Sequence, residues 1–275
     1  MKLGFVLPNN WGLPNVNDVI DLALEAEERG IDSVWVNHHV LNVGYIEDRL
    51  DDRPYHDALT VLTAVAARTE RVKLGTSVLV LPYLHPMVLA KALATLDQVS
   101  GGRVIAGLGV GSLPEENMVM GVGYDDRGRY SDESIEVMMA LWSQREASFE
   151  GEHFRLDGIK AAPKPTQNPL PIWIGGSGGP AQRRAARYGT GWHPMTSVGG
   201  LAKRIPRLEA ALETQGRTRA DIVVAPRILT TAVADQAAVE AWAAAGADEL
   251  IIGTASPDRA EIRAGLAQVA DLGGG

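Results

Sequence analysis

Lys2-Leu-Gly-Phe-Val-Leu7 runs directly into Pro8-Asn9-Asn10-Trp11, and that junction decides the fold. The apolar stretch reads as a strand. An open, doubly wound sheet that binds a nucleotide needs its phosphate-binding glycines directly after the first strand. Here the strand ends on proline, two asparagines and a tryptophan, and the glycine clusters come only at 107–111 and 175–179. A closed (β/α)8 barrel makes no such demand on its first loop.

The rest of the chain repeats the same alternation. Residues 18–29 read as a helix with Asn17 as N-cap and Gly30 as stop, and 33–37 as a second strand. Asp57 caps a helix reaching about Thr69, and 73–80 is a strongly apolar third strand. A helix from Pro86 stops at Gly101-Gly102, and 104–108 is the fourth strand. The order then pauses over 111–130, rich in Gly, Asp and Glu, before a helix over 131–142. A small hairpin over 148–157 and an extended tether, with four prolines over 161–171, follow. Strands at 171–174, 191–193, 222–225 and 249–252 then alternate with helices at 181–188, from 201, at 235–245 and from 257. This predicts an α/β fold, a (β/α)8 TIM barrel forming one domain over 1–275, with an insertion at about 111–171 after strand four. Continuous apolar strands such as Val34-Trp35-Val36 fit a sheet buried on both faces.

Composition narrows the function. Of 275 residues, 45% are apolar and 22% charged, a globular balance, and the net charge of −8 argues against phosphate-backbone binding. No cysteine is present, which excludes disulfides, thiolate nucleophiles and Cys-ligated metals. No apolar run approaches the roughly 20 residues of a membrane span. With a strand beginning at residue 2 and no signal-like segment ahead of it, the expectation is a soluble, cytoplasmic protein without nucleic-acid or membrane partners.

In a barrel, chemistry sits where strands end. The candidates there are Asn10 and Trp11, Asn37-His38-His39, Thr76-Ser77, Gly107-Leu-Gly-Val-Gly111 with Ser112, Glu115 and Glu116, Gly175-Gly-Ser-Gly-Gly179, and Trp192-His193. Gly175–Gly179 before Pro180 and a helix suits an anion, since backbone N–H groups and a helix N-terminus converge there. The same glycines suit an ordinary strand-to-helix turn, and both readings stay open. His38 and His39, being adjacent on a strand, should point to opposite faces. Joint metal chelation is therefore not expected. One faces the mouth as hydrogen-bond donor or acid/base, and the other makes a structural contact.

Several segments resemble the luciferase-like monooxygenase superfamily, and within it the oxidoreductases that use the deazaflavin coenzyme F420. They are Leu3-Gly-Phe-Val-Leu-Pro8, Val72-Lys-Leu-Gly-Thr-Ser-Val78, Leu96-Asp-Gln-Val-Ser-Gly-Gly-Arg103, Gly107–Gly111, Leu113-Pro-Glu-Glu116, Phe149-Glu-Gly-Glu-His-Phe154 and Pro171-Ile-Trp-Ile-Gly-Gly176. The resemblance implies a barrel with the ring in its mouth and a cis peptide at Ser77–Val78 against that ring. It also implies cofactor contacts at Gly109, Val110, Gly111, Gly175, Gly176, Ser177 and Gly178, with His39 as the catalytic histidine. Asn10, Trp11, His38, Ser112 and Trp192 would face the substrate. Two departures stand out. His38 replaces the acid that usually precedes the histidine, and Ser112 replaces the proton-donating glutamate of the sugar-phosphate dehydrogenase. The implied activity is hydride transfer between F420 and a small organic substrate in a homodimer. The alternatives are an FMN-dependent monooxygenase using O₂, and a cofactor-binding protein without turnover.

Overall fold

A computed structural model describes residues 1–273. Eight parallel strands form the wall: β1 (Lys2–Val6), β2 (Ser33–Val36), β3 (Lys73–Thr76 resumed by Leu79–Val80), β4 (Val104–Gly109), β5 (Ile172–Gly175), β6 (Gly191–His193), β7 (Val223–Val224 resumed by Arg227–Leu229) and β8 (Glu249–Gly253). The lower half of β7 pairs with β6 and its upper half with β8. Backbone bonds from Ala225 N to Trp192 O and from Ile251 N to Pro226 O span the break, so the ring closes. The expected barrel is therefore present, with two of its strands interrupted rather than continuous.

Both interruptions have local causes. Pro226 has no N–H to give the ladder. In β3 the Ser77–Val78 peptide is cis, as the family resemblance implied. There the Thr76 hydroxyl takes over the ladder, donating to Gly107 O at 2.7 Å and accepting from Gly107 N at 2.9 Å. The seam is tight: a Cβ on Gly107 would lie 1.7 Å from Thr76 O.

The helices are α1 (Val16–Glu28), α2 (Tyr45–Leu50), α3 (Ala58–Ala66), α4 (Pro86–Val99), α5 (Pro114–Val119), α6 (Arg127–Ser143), α7 (Gly179–Tyr188), α8 (Val198–Glu213), α9 (Gln236–Ala244) and α10 (Arg259–Gly273). The cap of α1 is Asn15, whose side chain accepts from Asn17 N; Asn17 itself is already helical. Asp57 caps α3 as expected. Helices α2 and α5 were not anticipated, because each is only six residues long. Of the segment between β4 and β5, α6 packs beside α4 and pairs with α7 through Arg184–Asp132 and Arg187–Glu136. It takes a place in the outer ring of helices.

Most apolar side chains lie between this ring and the strands. A second, small cluster of Val6, Trp35, Ile105, Trp173, Ala225 and Ile251 fills the barrel interior, with the two tryptophan rings 4.9 Å apart. Such bulk needs small neighbours. A Cβ on Gly75 would sit 2.2 Å from the Trp35 ring, and one on Gly191 would sit 2.3 Å from Trp173. Arg103 locks the opposite end of the barrel, donating to the carbonyls of Ala66, Thr69, Val72 and Ser100 and to the Thr69 hydroxyl. Among the described residues, no helix is long and apolar enough to cross a membrane.

Candidate functional site

The carboxyl ends of the strands surround a cavity of about 490 Å³. Its rim begins with asparagines. Asn9, fully buried, donates to the carbonyls of Asn37 and His56 and accepts from Asn37 N, while Asn37 donates to Asn10 Oδ1 at 3.0 Å. These bonds fix the two strand ends from which Asn10, His38 and His39 enter the cavity.

The two histidines do not point to opposite faces, because the chain leaves the strand after Val36. Both line the cavity. His38 accepts from Val80 N through Nδ1 at 3.2 Å, so its proton sits on Nε2. Burial pushes its pKa down to about 4, which keeps it neutral at ordinary pH. His39 Nδ1 lies 2.6 Å from Glu116 Oε2, and Tyr45 Oη lies 3.1 Å from Nε2. Glu116 has no solvent exposure and accepts Val40 N and Leu41 N on its other oxygen. Burial pushes this carboxyl up, but the His39 side chain and the two backbone donors outweigh it, so it stays below the ordinary glutamate value. A carboxylate held this way accepts the Nδ1 proton of His39 and leaves Nε2 to Tyr45.

The floor is equally determined. His193 Nδ1 lies 2.6 Å from Ala225 O, which can only accept, so Nε2 accepts the Ser77 hydroxyl proton at 2.9 Å. Burial brings the His193 pKa down to about 4. Arg227 Nη1 then donates to Ser77 O at 3.1 Å, the carbonyl of the cis peptide. Val78 rises beside it between two glycines, and a Cβ on Gly109 or Gly175 would come within 2.5 Å or 2.9 Å of its methyls. Gly111 (φ +78°) and Gly176 (φ +108°) hold backbone conformations that side chains rarely adopt. Ser177 spends its hydroxyl on Met195 O, closing the glycine loop against the end of β6.

Most sequence candidates therefore converge: Asn10, His38, His39, Ser77, Val78, the run Gly109-Val110-Gly111-Ser112, and Gly175, Gly176 and Ser177 all line the cavity. Three do not. Trp192 is fully buried in the barrel wall, donating to Gly176 O at 2.8 Å. Trp11 lies beneath the Arg49 guanidinium, 4.6 Å from its ring. Gly178 serves as the N-cap of α7. Tyr45, Tyr55, Arg49 and Arg227 carry no signal in the sequence, and Glu116, a strand-end candidate there, has no role assigned to it until its bond to His39 is seen. Among the described residues, no group of three or more His, Asp or Glu side chains could hold a metal ion.

The sequence profile of luciferase-like monooxygenases matches residues 1–271. An F420-dependent glucose-6-phosphate dehydrogenase of Kineococcus radiotolerans is 34% identical over 230 residues, 81% of this chain and 65% of the relative. The chain thus spans just under two thirds of that curated relative. Among solved structures, an F420-dependent secondary alcohol dehydrogenase superposes with a TM-score of 0.82 at 21% identity, covering 98% of this chain and 97% of the other. A monooxygenase of Streptomyces bottropensis gives 0.81 at 21% identity, covering 99% and 98%. At that identity the two structures establish the barrel fold.

Proposed function

The chain belongs to the luciferase-like monooxygenase family, and on that premise we propose that it transfers hydride between coenzyme F420 and a small organic substrate. The observation that carries this reading is the His39–Glu116 pair, whose histidine opens on a cavity that Ser77, Val78 and the glycines of two strand-end loops also line. The residues present fit such a group. The volume is that of a ring-binding pocket, and the glycines at 109, 111, 175 and 176 keep its wall free of side chains where a flat ring and a phosphate would press.

When bound, the deazaflavin supplies the carbon that carries the hydride. The chain supplies the remainder. Backbone N–H groups of Gly109–Gly111 and Gly175–Ser177 would hold the phosphate, and Ser77 and Val78, which line the same cavity, would back the ring. His39 gives a proton from Nε2 to an acceptor oxygen when it starts as the imidazolium, and as the neutral imidazole takes one there in the reverse direction, while Glu116 keeps Nδ1–H in place in both. Tyr45 hydrogen-bonds the same Nε2 and stands beside the transfer. Glucose 6-phosphate is not carried over from the Kineococcus relative, since Ser112 cannot deliver a proton as a glutamate would. A homodimer in the cytoplasm belongs to the same reading, and sedimentation tests the dimer.

Titration with F420 and, separately, with FMN, followed by tryptophan fluorescence, tests the reading. Micromolar F420 binding with FMN at least ten times weaker is the expected result. The opposite order transfers the proposal to an O₂-using flavin monooxygenase, and binding of neither cofactor overturns it.

A further inference from the structure

The chain carries a net charge of −8, yet among the described residues no carboxylate lines the cavity, whereas two guanidinium groups, Arg49 and Arg227, do. Among the described residues, no Asp or Glu stands within ion-pair distance of either arginine. Glu116, bonded to the cavity-lining His39, has its oxygens committed to His39 Nδ1 and to two backbone N–H groups.

The arginines are anchored without being neutralised. Arg227 donates from Nη1 to the carbonyl and hydroxyl oxygens of Ser77, both uncharged. Arg49 donates from Nη2 to Asn10 O at 3.1 Å and lies over Trp11, and its Nε is buried with no hydrogen-bond partner. They enter from opposite ends of the chain, Arg49 on α2 and Arg227 at the restart of β7, yet line one cavity. Tyr55 lines it with them, and burial holds its phenol protonated, as a donor. Both arginines are half-buried, and taking a cation even partly out of water is costly unless a counter-charge arrives. Planar guanidinium donors match the two oxygens of a carboxylate or phosphate.

We infer that Arg49 and Arg227, with Tyr55, form a subsite for an oxyanion, a carboxylate or phosphate carried by the substrate itself. The subsite deepens the reading given above: the substrate of the proposed hydride transfer is an organic acid or phosphate ester. It is distinct from the glycine loops of β4 and β5, which have backbone donors and no cation in the cavity lining. A roomier hollow of about 710 Å³ outside the barrel also has cations in its lining, but Arg145 there is exposed to solvent and Lys160 pairs with Glu146. There Lys164 spends its ammonium on Leu141 and Gln144 carbonyls, and Trp142 its N–H on Ala90.

Calorimetric titration of the purified chain with sodium butyrate, inorganic phosphate and neutral butyramide tests the subsite without any cofactor. At least one anion is expected to bind at least tenfold tighter than butyramide. That affinity should fall at least tenfold in both Arg49→Gln and Arg227→Gln and recover in Arg49→Lys. Which anion wins assigns carboxylate or phosphate. Equal binding of anion and amide, or variants indistinguishable from wild type, overturns the inference. Repeating the titration with saturating F420 separates the two sources of an oxyanion. Retained anion binding places the group on the substrate, and its loss overturns the inference by giving the arginines to the cofactor. If neither F420 nor FMN binds while the anion results hold, only the cofactor reading has failed.

Discussion

Glu116 and His39 meet at 2.6 Å although 77 residues separate them in the chain. One comes from α5 after strand β4, the other from the end of β2, and the closed barrel brings both to the same rim. Glu116→Gln removes the charge but keeps the shape. It is expected to lower turnover with F420 about 100-fold, the ordinary size of a general acid–base contribution, while F420 affinity stays within threefold. Stability should fall by about 2 kcal/mol, since hydrogen bonds to a buried charge are lost. Turnover, cofactor titration and urea unfolding read the three quantities separately.

The glycine wall should be intolerant of a single methyl. A Cβ at Gly175 would meet both methyls of Val78 at 2.9 and 3.0 Å, and Val78 stands at the cavity. Gly175→Ala is expected to weaken F420 binding at least tenfold. Gly199→Ala, where nothing lies within 4 Å, is the matched control and should bind as wild type.

Acid should unfold the protein through two neutral histidines. His38 and His193 are held at about 4, against 6.5 for the free side chain. Above pH 6.5 neither state takes up the proton and stability is flat. Below it the unfolded chain binds protons that the folded chain refuses, so stability falls as pH drops from 6.5 towards 4. At pH 5 each histidine should cost about 2 kcal/mol. Urea midpoints at pH 7 and pH 5 measure the slope, which should be roughly halved in His193→Gln. An unchanged slope in that variant would remove His193 from the account.

Arg103 offers a test of the barrel's closed end. Its guanidinium satisfies four backbone carbonyls and a hydroxyl while nearly buried. Arg103→Met leaves these acceptors without donors and should cost about 4 kcal/mol. F420 affinity of the fraction still folded should be unaltered, because the residue lies at the other end of the strands from the cavity.

How much of this was legible in the sequence follows from the range of each interaction. Strands were readable because burial on both faces makes them continuous apolar runs, and strand ends, once placed, located His39, Ser77 and the glycines. The breaks in β3 and β7 were harder to read. The cis peptide at Ser77–Val78 was reached only through family resemblance, and Pro226 fell just past the strand expected at 222–225. Arg227 therefore went unnoticed, as it belongs to the restarted half of β7. Tyr45, Arg49 and Tyr55 sit on or beside a six-residue helix in a long loop, where periodicity gives no signal. Their convergence depends on three-dimensional closure. Trp192 failed differently, for it stands on β6 facing the wall instead of the mouth.

The Thr76–Gly107 seam bears on how this scaffold can be re-engineered. With no room for even one carbon at position 107, changing that residue means prising two strands apart next to the break at Ser77, which lines the cavity. Ser112 and Met195, exposed at the lip of the same cavity, carry no such obligation. A library meant to alter substrate choice should spend its diversity on those two positions and keep the seam invariant, which separates the part of the protein that must persist from the part free to drift.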